Sequence, residues 1–269
     1  VPAAWTVSAV ELLDDESTFY IAIPSKADSD LIQQIIKSYV PTLSDSNMKM
    51  ICEKIDTVYC GISNKKNQMD FQCVISGNIP VNMIPKVLTK KNGWNSAKIV
   101  PQDSATQYNL YSISNENFSI DMSFPSTNLA ILGRDVPKML SRFDFLSKLP
   151  SDDFEMNTII DKNLAEFLNG AENEIRFCAN NPQSFLTSLT GAKLDLKLKE
   201  VSGVFVQDEN HENQYILDLR FLFKNEKYLK AGKTLLTLAF GLTNSQSVII
   251  GTDELQINGI KLDKNQLIK

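Results

Sequence analysis

Residues 55–76 read IDTVYCGISNKKNQMDFQCVIS, two runs rich in β-branched and aromatic residues joined by a polar turn. Such runs around a short polar break spell a β-hairpin. A hairpin fixes register as well as structure, because residues facing each other share a constant sum of numbers. A two-residue turn at Lys66-Asn67 sets that sum at 133 and brings Cys60 opposite Cys73. Their Cβ atoms should then lie about 4.5 to 5.5 Å apart. An oxidising compartment could join such a pair. Sheet geometry strains most cross-strand disulfides, however, and cysteine packs well as a small core residue, which is the expected role here.

A strand running into a helix precedes this hairpin, in TFYIAIPSKADSDLIQQII. Phe19 to Ile23 has strand composition, and Leu31, Ile32, Ile35 and Ile36 mark one helical face, with Asp28 or Ser29 as N-cap. SDSNMKMICEKI adds a second helical piece. After the hairpin, Asn78 and Pro80 open a helix through Leu88, with Gly93 in a capping position. Strand candidates follow around Tyr108 to Ile113, Phe118 to Phe124 and Leu129 to Leu132, and Asp135 should cap a helix from Val136 through Phe143.

The same order then recurs. A connecting helix spans Asp152 to Leu168, with Ser151 as cap and Gly170 as stop. Glu174 to Cys178 is a strand, and Asn181-Pro182 opens a helix through Leu189. Val201 to Val206 and Tyr215 to Phe223 form a hairpin around QDENHEN. Asn225 to Phe240 is helical, and Val248 to Ile250 with Leu255 to Ile257 close the set. Both Cys60 to Cys73 and Val206 to Leu219 span 13 residues, and Gly93-Trp94 falls where Gly241-Leu242 falls. The expected fold is therefore α+β: two related β-α-β-β-α-β, ferredoxin-like modules of mainly antiparallel sheet with helices on one face. They should occupy residues 1–150 and 151–269. The strand-to-helix turn PSKADSD has CANNPQS as its counterpart in the second copy. Only capping chemistry is shared, so this turn reads as a corner of the fold.

A chain of 269 residues, 43% hydrophobic, buries enough surface to fold without staples. Its 27 basic residues are scattered among 32 acidic ones for a net charge of −5. This balance disfavours nucleic acid as a partner, and pairs such as Lys65-Lys66 and Lys90-Lys91 are too short to alter it. No apolar run reaches the length of a membrane span. The opening VPAAWTVSAV, lacking an initial methionine, is expected of a chain from which a preceding segment has been removed, either by processing after export, the leading expectation, or by trimming of that end.

Residues with chemical potential have bland readings beside them. Cys52 on a helix and Cys178 on a strand have no CxxC spacing, so a structural zinc site is not expected. The one histidine, His211, sits in the acidic turn DENHEN. Asp208, Glu209 and Glu212 there could hold a hydrated cation, but the spacing and glycine of a calcium loop are missing, and a solvated tip is expected. A single histidine in that place also argues against Ser-His-Asp or Cys-His chemistry. No nucleotide-binding or metalloprotease motif occurs. In ILGRD, residues 131–135, the amides after Gly133 and the charge of Arg134 could receive an anion, although an Asp135 cap explains the same letters. IIGTDE, residues 249–254, places a glycine after a strand in the same way. Asp14-Asp15-Glu16, Asp152-Asp153 and Asp253-Glu254 could serve a hydrolase only by converging in a cleft. Trp5 and Trp94 could line a pocket, with core anchoring the expected role for each.

ELLDDESTFYIAIP, a following helix and the later NLAILGRDVPKML resemble uncharacterised exported bacterial proteins and lipoproteins. Those open with a Leu-Leu-Pro-x-Asp phrase before a strand and repeat α+β modules; here Asp14 stands in the place of the proline. The resemblance implies an envelope location, in the periplasm or at the cell surface, and brings no catalytic residues with it. The resulting expectation is a non-enzymatic exported or lipid-anchored protein that binds or scaffolds an unknown ligand. No catalytic, cofactor or metal residue is assigned, and no cofactor is called for. The alternatives are a carboxylate-dependent hydrolase with a cleft between its halves and a cytoplasmic regulatory module.

Overall fold

The computed structural model describes residues 6–39, 44–65, 68–114, 119–150, 155–191, 193–211, 213–241 and 246–264. The chain forms two compact units, one of residues 1–17 and 22–170 and the other of residues 18–21 and 171–269. Both are α+β with antiparallel sheet.

The first unit takes the later part of β1 (Phe19–Pro24), whose Ala22 and Ile23 are buried. Helix α1 (Ser29–Tyr39) starts as its sequence signals: Asp28 Oδ1 accepts the Leu31 amide at 2.9 Å. Ser44 does the same for α2 (Asp45–Cys52) through the Asn47 amide. Strands β2 (Ile55–Lys65) and β3 (Gln68–Gly77) pair antiparallel, with Cys60 facing Cys73 and Lys65 facing Gln68. The turn residues Lys66 and Asn67 lie outside the described residues, but the pairs on either side keep the sum of 133.

The helix expected from Asn78 to Leu88 is only one turn, α3 (Ile84–Val87). Pro85 is the reason. In the interior of a longer helix it would lose a hydrogen bond and clash with a carbonyl one turn earlier, whereas at the first turn its fixed φ is favourable. Strand β4 (Asn95–Ile99) carries no alternation for the sequence to reveal; four of its five side chains are exposed, and it forms by pairing with β5 (Tyr108–Ser114). Strands β6 (Ser119–Ser123) and β7 (Leu129–Gly133) complete the order β1-β2-β3-β7-β6-β5-β4. Helix α4 (Val136–Leu146) buries Val136, Met139, Leu140 and Leu146. Helix α5 (Lys162–Asn169) is shorter than expected and is capped by Asp161, which accepts the Asn163 and Leu164 amides. The cap expected at Ser151 lies outside the described residues.

In the second unit, β8 (Ile175–Ala179), α6 (Pro182–Thr190), β9 (Leu198–Gln207), β10 (Gln214–Phe223), α7 (Leu229–Ala239), β11 (Ser247–Ile250) and β12 (Glu254–Asp263) follow one another. Their sheet order is β8-β9-β10-β12-β11. The core is aromatic: Phe177 lies 4.9 Å from Phe205, 5.0 Å from Phe185 and 5.7 Å from Phe19, centroid to centroid. The buried rings, Phe177 and Phe205, each contribute about 1.5 to 3 kcal/mol. Gly203 makes the cluster possible, since a Cβ there would sit 2.4 Å from the Asp218 carbonyl and 3.0 Å from the Phe177 ring.

Two expectations are corrected by this topology. A ferredoxin-like sheet interleaves its strands, the third inserting between the first and second, which run parallel. Here β8 pairs antiparallel with β9, and β9 with β10, as in a meander. Element order alone cannot separate the two, because both read β-α-β-β-α-β. The 13-residue spacings are also not equivalent. Val206 faces Ile216, and Leu219 faces Gly203. The longer tip between Gln207 and Gln214, held by the Asp208 and Gln214 backbone bond at 2.9 Å, shifts the register.

Candidate functional site

The densest polar construction among the described residues surrounds Arg134, in the first unit. Strand β7 ends at Gly133, whose φ of 108° and close approach to β3 both require glycine: a Cβ would lie 2.3 Å from the Phe71 carbonyl. The Arg134 amide donates to that same carbonyl at 2.9 Å, and Asp135 follows with φ 53°. This tight corner aims the guanidinium back along the sheet. Its Nε donates to Asp14 Oδ2 at 3.2 Å and its Nη2 to Asp14 Oδ1 at 2.6 Å, a bidentate grip. Its Nη1 donates to Asp70 Oδ2 at 3.0 Å and Ser63 Oγ at 3.2 Å, and its Nη2 also reaches Ser17 Oγ at 2.8 Å. Asp14 is 3% exposed, and its amide donates to Gln72 Oε1 at 2.8 Å. Burial works to lower the Arg134 pKa, but the hydrogen bonds and charges of Asp14 and Asp70 outweigh it and leave it raised. The site is therefore a permanently charged junction tying the N-terminal segment to the β2–β3 hairpin.

Asp14, Glu16 and Asp135 bring carboxylate oxygens within 4.8 Å of one another. Such a group has the oxygen donors a hard cation takes, yet Asp14 already carries the Arg134 charge against it. Beside the junction lies a groove of about 430 Å³, walled by Leu12, Met139, Phe145 and Ile159 with polar groups including Arg142 and Asp144. Phe145 and Ile159 are 53% and 40% exposed. Arg142 donates to Asn157 Oδ1 at 2.7 Å and to the Asn157 and Glu11 carbonyls. Burial lowers its pKa, with the Glu11 charge opposing. Asp144 accepts from Lys148 Nζ at 2.6 Å and Thr106 Oγ1 at 2.8 Å. Burial pushes the Asp144 carboxyl up, but hydrogen bonds from Lys148, Thr106 and Ser104 and the Lys148 charge hold it below its ordinary value.

The other residues singled out from the sequence stand apart. Cys60 and Cys73 are joined by a disulfide, with Cα atoms 4.2 Å apart, which corrects the expectation of a reduced core pair. The facing register supplies the proximity, and β-strand pairing brings the backbones close enough. Cys52 and Cys178 are buried free thiols. His211 stands at its hairpin tip with Nδ1 3.1 Å from Asp208 Oδ2. Asp208 turns inward, 5% exposed, and the Asn210 amide, ahead of His211, keeps its carboxyl below the ordinary value against a desolvation cost. Glu212 lies outside the described residues. Asp135 makes no side-chain cap; it takes the left-handed conformation and its carbonyl starts the helix. Gly251 forms the turn of the β11–β12 hairpin, with Glu254 held by Arg220 at 2.6 Å. Trp94 is 2% exposed and packs with Leu88 and Tyr111. Trp5, Asp152 and Asp153 lie outside the described residues.

In the second unit the feature that stands out is apolar. Helix α7 buries Leu229, Gly232 and Leu236, and Gly232 allows close packing on Phe223, whose ring a Cβ would meet at 2.2 Å. Its outer face carries Leu235 and Leu238, 42% and 73% exposed, with exposed Ala231 and Ala239. Lys224, Lys227, Lys230 and Lys233 recur every third residue into this helix, and Lys233 Nζ donates to the Ser247 carbonyl at 3.2 Å. Strand β11, at the edge of its sheet, exposes Val248, Ile249 and Ile250. The signal was present in the sequence, since KTLLTLAF has leucines beyond one helical stripe. Among the described residues no helix is long and apolar enough to cross a membrane.

Crystal form I of TP0453 superposes with a TM-score of 0.70 at 18% identity, covering 97% of this chain and 95% of that one. Crystal form III gives 0.67 at 18% over 97% and 96%, and crystal form IV gives 0.65 at 17% over 97% and 95%. At these identities the likeness shows the fold. A comparison with curated proteins gives no match. A family described as outer membrane-associated lipoprotein TP0453 matches residues 4–268. Outer-membrane association is extracytoplasmic, in agreement with the expectation of an exported chain, and the reading as a cytoplasmic regulatory module is set aside. With the match running over nearly its whole length, the chain belongs to the family of the outer membrane-associated lipoprotein TP0453.

Proposed function

We propose that this is a lipid-anchored, non-enzymatic binding or scaffolding protein of the outer membrane, and that it meets the membrane surface through the outer face of α7. The observation that carries the reading is that α7 has apolar residues outside its packed face as well as on it. One face packs on its sheet, and the other exposes Leu235 and Leu238 beside Lys230. An exposed apolar patch on a helix whose other face is already packed marks a contact surface, and lysines bordering leucines suit an anionic lipid interface. The family description supports the same location.

Flotation of the unlipidated chain with anionic and zwitterionic vesicles tests this. Anionic vesicles should retain more protein, and Leu235→Ser with Leu238→Ser should weaken binding tenfold or more, since each leucine inserted contributes about 1.5 to 3 kcal/mol. Equal retention of wild type and variant would refute it. We further infer that residues 1–150 and 151–269 descend from one module. In support, β1-β2-β3-β7 and β8-β9-β10-β12 neighbour one another in the same order, each with a helix after its first strand.

A further inference from the structure

The Cys60–Cys73 disulfide stands at a particular place in the β2–β3 hairpin. Strand β7 pairs with β3 only from Gln72 to Ser76, so Cys73, facing Leu132, is next to the last supported position. Beyond it, residues Gln68 to Phe71 have β2 as their ladder partner. In that outer part Ser63 faces Asp70, and both bond Arg134. The opposite side of the same guanidinium grips Asp14 and Ser17 of the N-terminal segment. The disulfide thus crosslinks the two strands where their outer end leaves the support of β7, and that end is one jaw of the Arg134 junction. Cys60 and Cys73 are 9% and 8% exposed, so a small dithiol reaches their bond as the unsupported outer end frays, and neither remaining thiol lies on this hairpin: Cys52 is on α2 and Cys178 on β8.

We propose that the Cys60–Cys73 disulfide is a redox-sensitive clamp that keeps the hairpin end seated on Arg134 and, through Arg134, keeps residues 8–17 docked on the first unit. The reductant is a dithiol. It transfers two electrons and two protons, its own sulfurs close into a disulfide, and the Cys60–Cys73 bond opens to two thiols. The freed strands remain hydrogen-bonded but lose their covalent tie at the base of the outer end. Asp70 and Ser63 then leave Arg134 more often, and the grip on Asp14 loosens with them.

Hydrogen exchange followed by mass spectrometry on the folded chain, with and without a small dithiol, tests the clamp. Alkylation before and after treatment reports the state of the two cysteines. Reduction should speed exchange at residues 10–17 and 68–71 at least tenfold and leave β9 and β10 unchanged. Asp70→Asn, with the disulfide intact, should also speed exchange at residues 10–17, by up to about fivefold. A chain that alkylates fully without reductant, an unchanged N-terminal segment after complete reduction, or loss of protection along the whole chain would overturn the proposal. Protection of residues 10–17 in Asp70→Asn would overturn the route through Arg134. Cys60→Ser with Cys73→Ser should reproduce the reduced pattern; if that variant does not fold, the reduced wild-type chain carries the test.

Discussion

Replacing Arg134 by methionine keeps the length of the side chain and removes its charge. Asp14, with a side chain 5% exposed, would lose bonds at 2.6 and 3.2 Å and retain the Glu16 amide at 3.1 Å. Asp70 would lose its bond at 3.0 Å, but its side chain is 25% exposed and water can replace much of that contact. Removing one partner of a buried ion pair costs about 3 to 5 kcal/mol, because the other charge stays behind without compensation. The Asp70 limb should add about 1 kcal/mol or less. For a domain of this size 1 kcal/mol shifts Tm by about 2 to 4 °C, so a total of about 3 to 6 kcal/mol for Arg134→Met should lower it by roughly 6 to 24 °C. Thermal and urea unfolding followed by circular dichroism measures this. The same experiment on Asp14→Asn with Arg134→Met decides the cause. If the cost is the orphaned carboxylate, the double variant should recover more than half of the loss. A single variant within about 1 kcal/mol of wild type, or a double variant no more stable than the single, would refute the reasoning.

Asp144 supplies a pH test. Its carboxyl is held low in the folded chain, so it binds fewer protons folded than unfolded. The stability it lends is present above the unfolded value of about 3.9 and is lost as pH falls through the folded value. Wild type should therefore lose stability below about pH 4 more steeply than Asp144→Asn, and parallel acid unfolding curves would contradict this. At pH 7 the variant should cost about 1 to 2 kcal/mol by urea unfolding, with little from Lys148, which is 61% exposed. Gly232→Ala should cost about 1 to 3 kcal/mol in the second unit by driving a Cβ into the Phe223 ring, and hydrogen exchange should show α7 loosened first. Gly133→Ala should act through Arg134 instead, at φ 108° and 2.3 Å from the Phe71 carbonyl, releasing residues 10–17 in the same exchange measurement.

What could be read from the letters alone was whatever depends on neighbours in the chain. The change of period at Pro24, the Asp28 cap and the sum of 133 across the hairpin rest on local spacing, and they stand in the structure. The facing of Ser63 and Asp70 followed from that same sum, although nothing local said what they would face. Arg134 was visible as a charge after a glycine, but its partners are 120, 71 and 64 residues away in Asp14, Ser63 and Asp70. Only a folded sheet could bring them together. Strand β4 was illegible because an edge strand with exposed side chains needs no apolar alternation; its partner β5 creates it. The meander in place of an interleaved sheet, and the three-residue offset between the two hairpins, were likewise decided in three dimensions. Strand pairing and loop length set which backbones meet, and a one-dimensional order of elements is the same for either outcome.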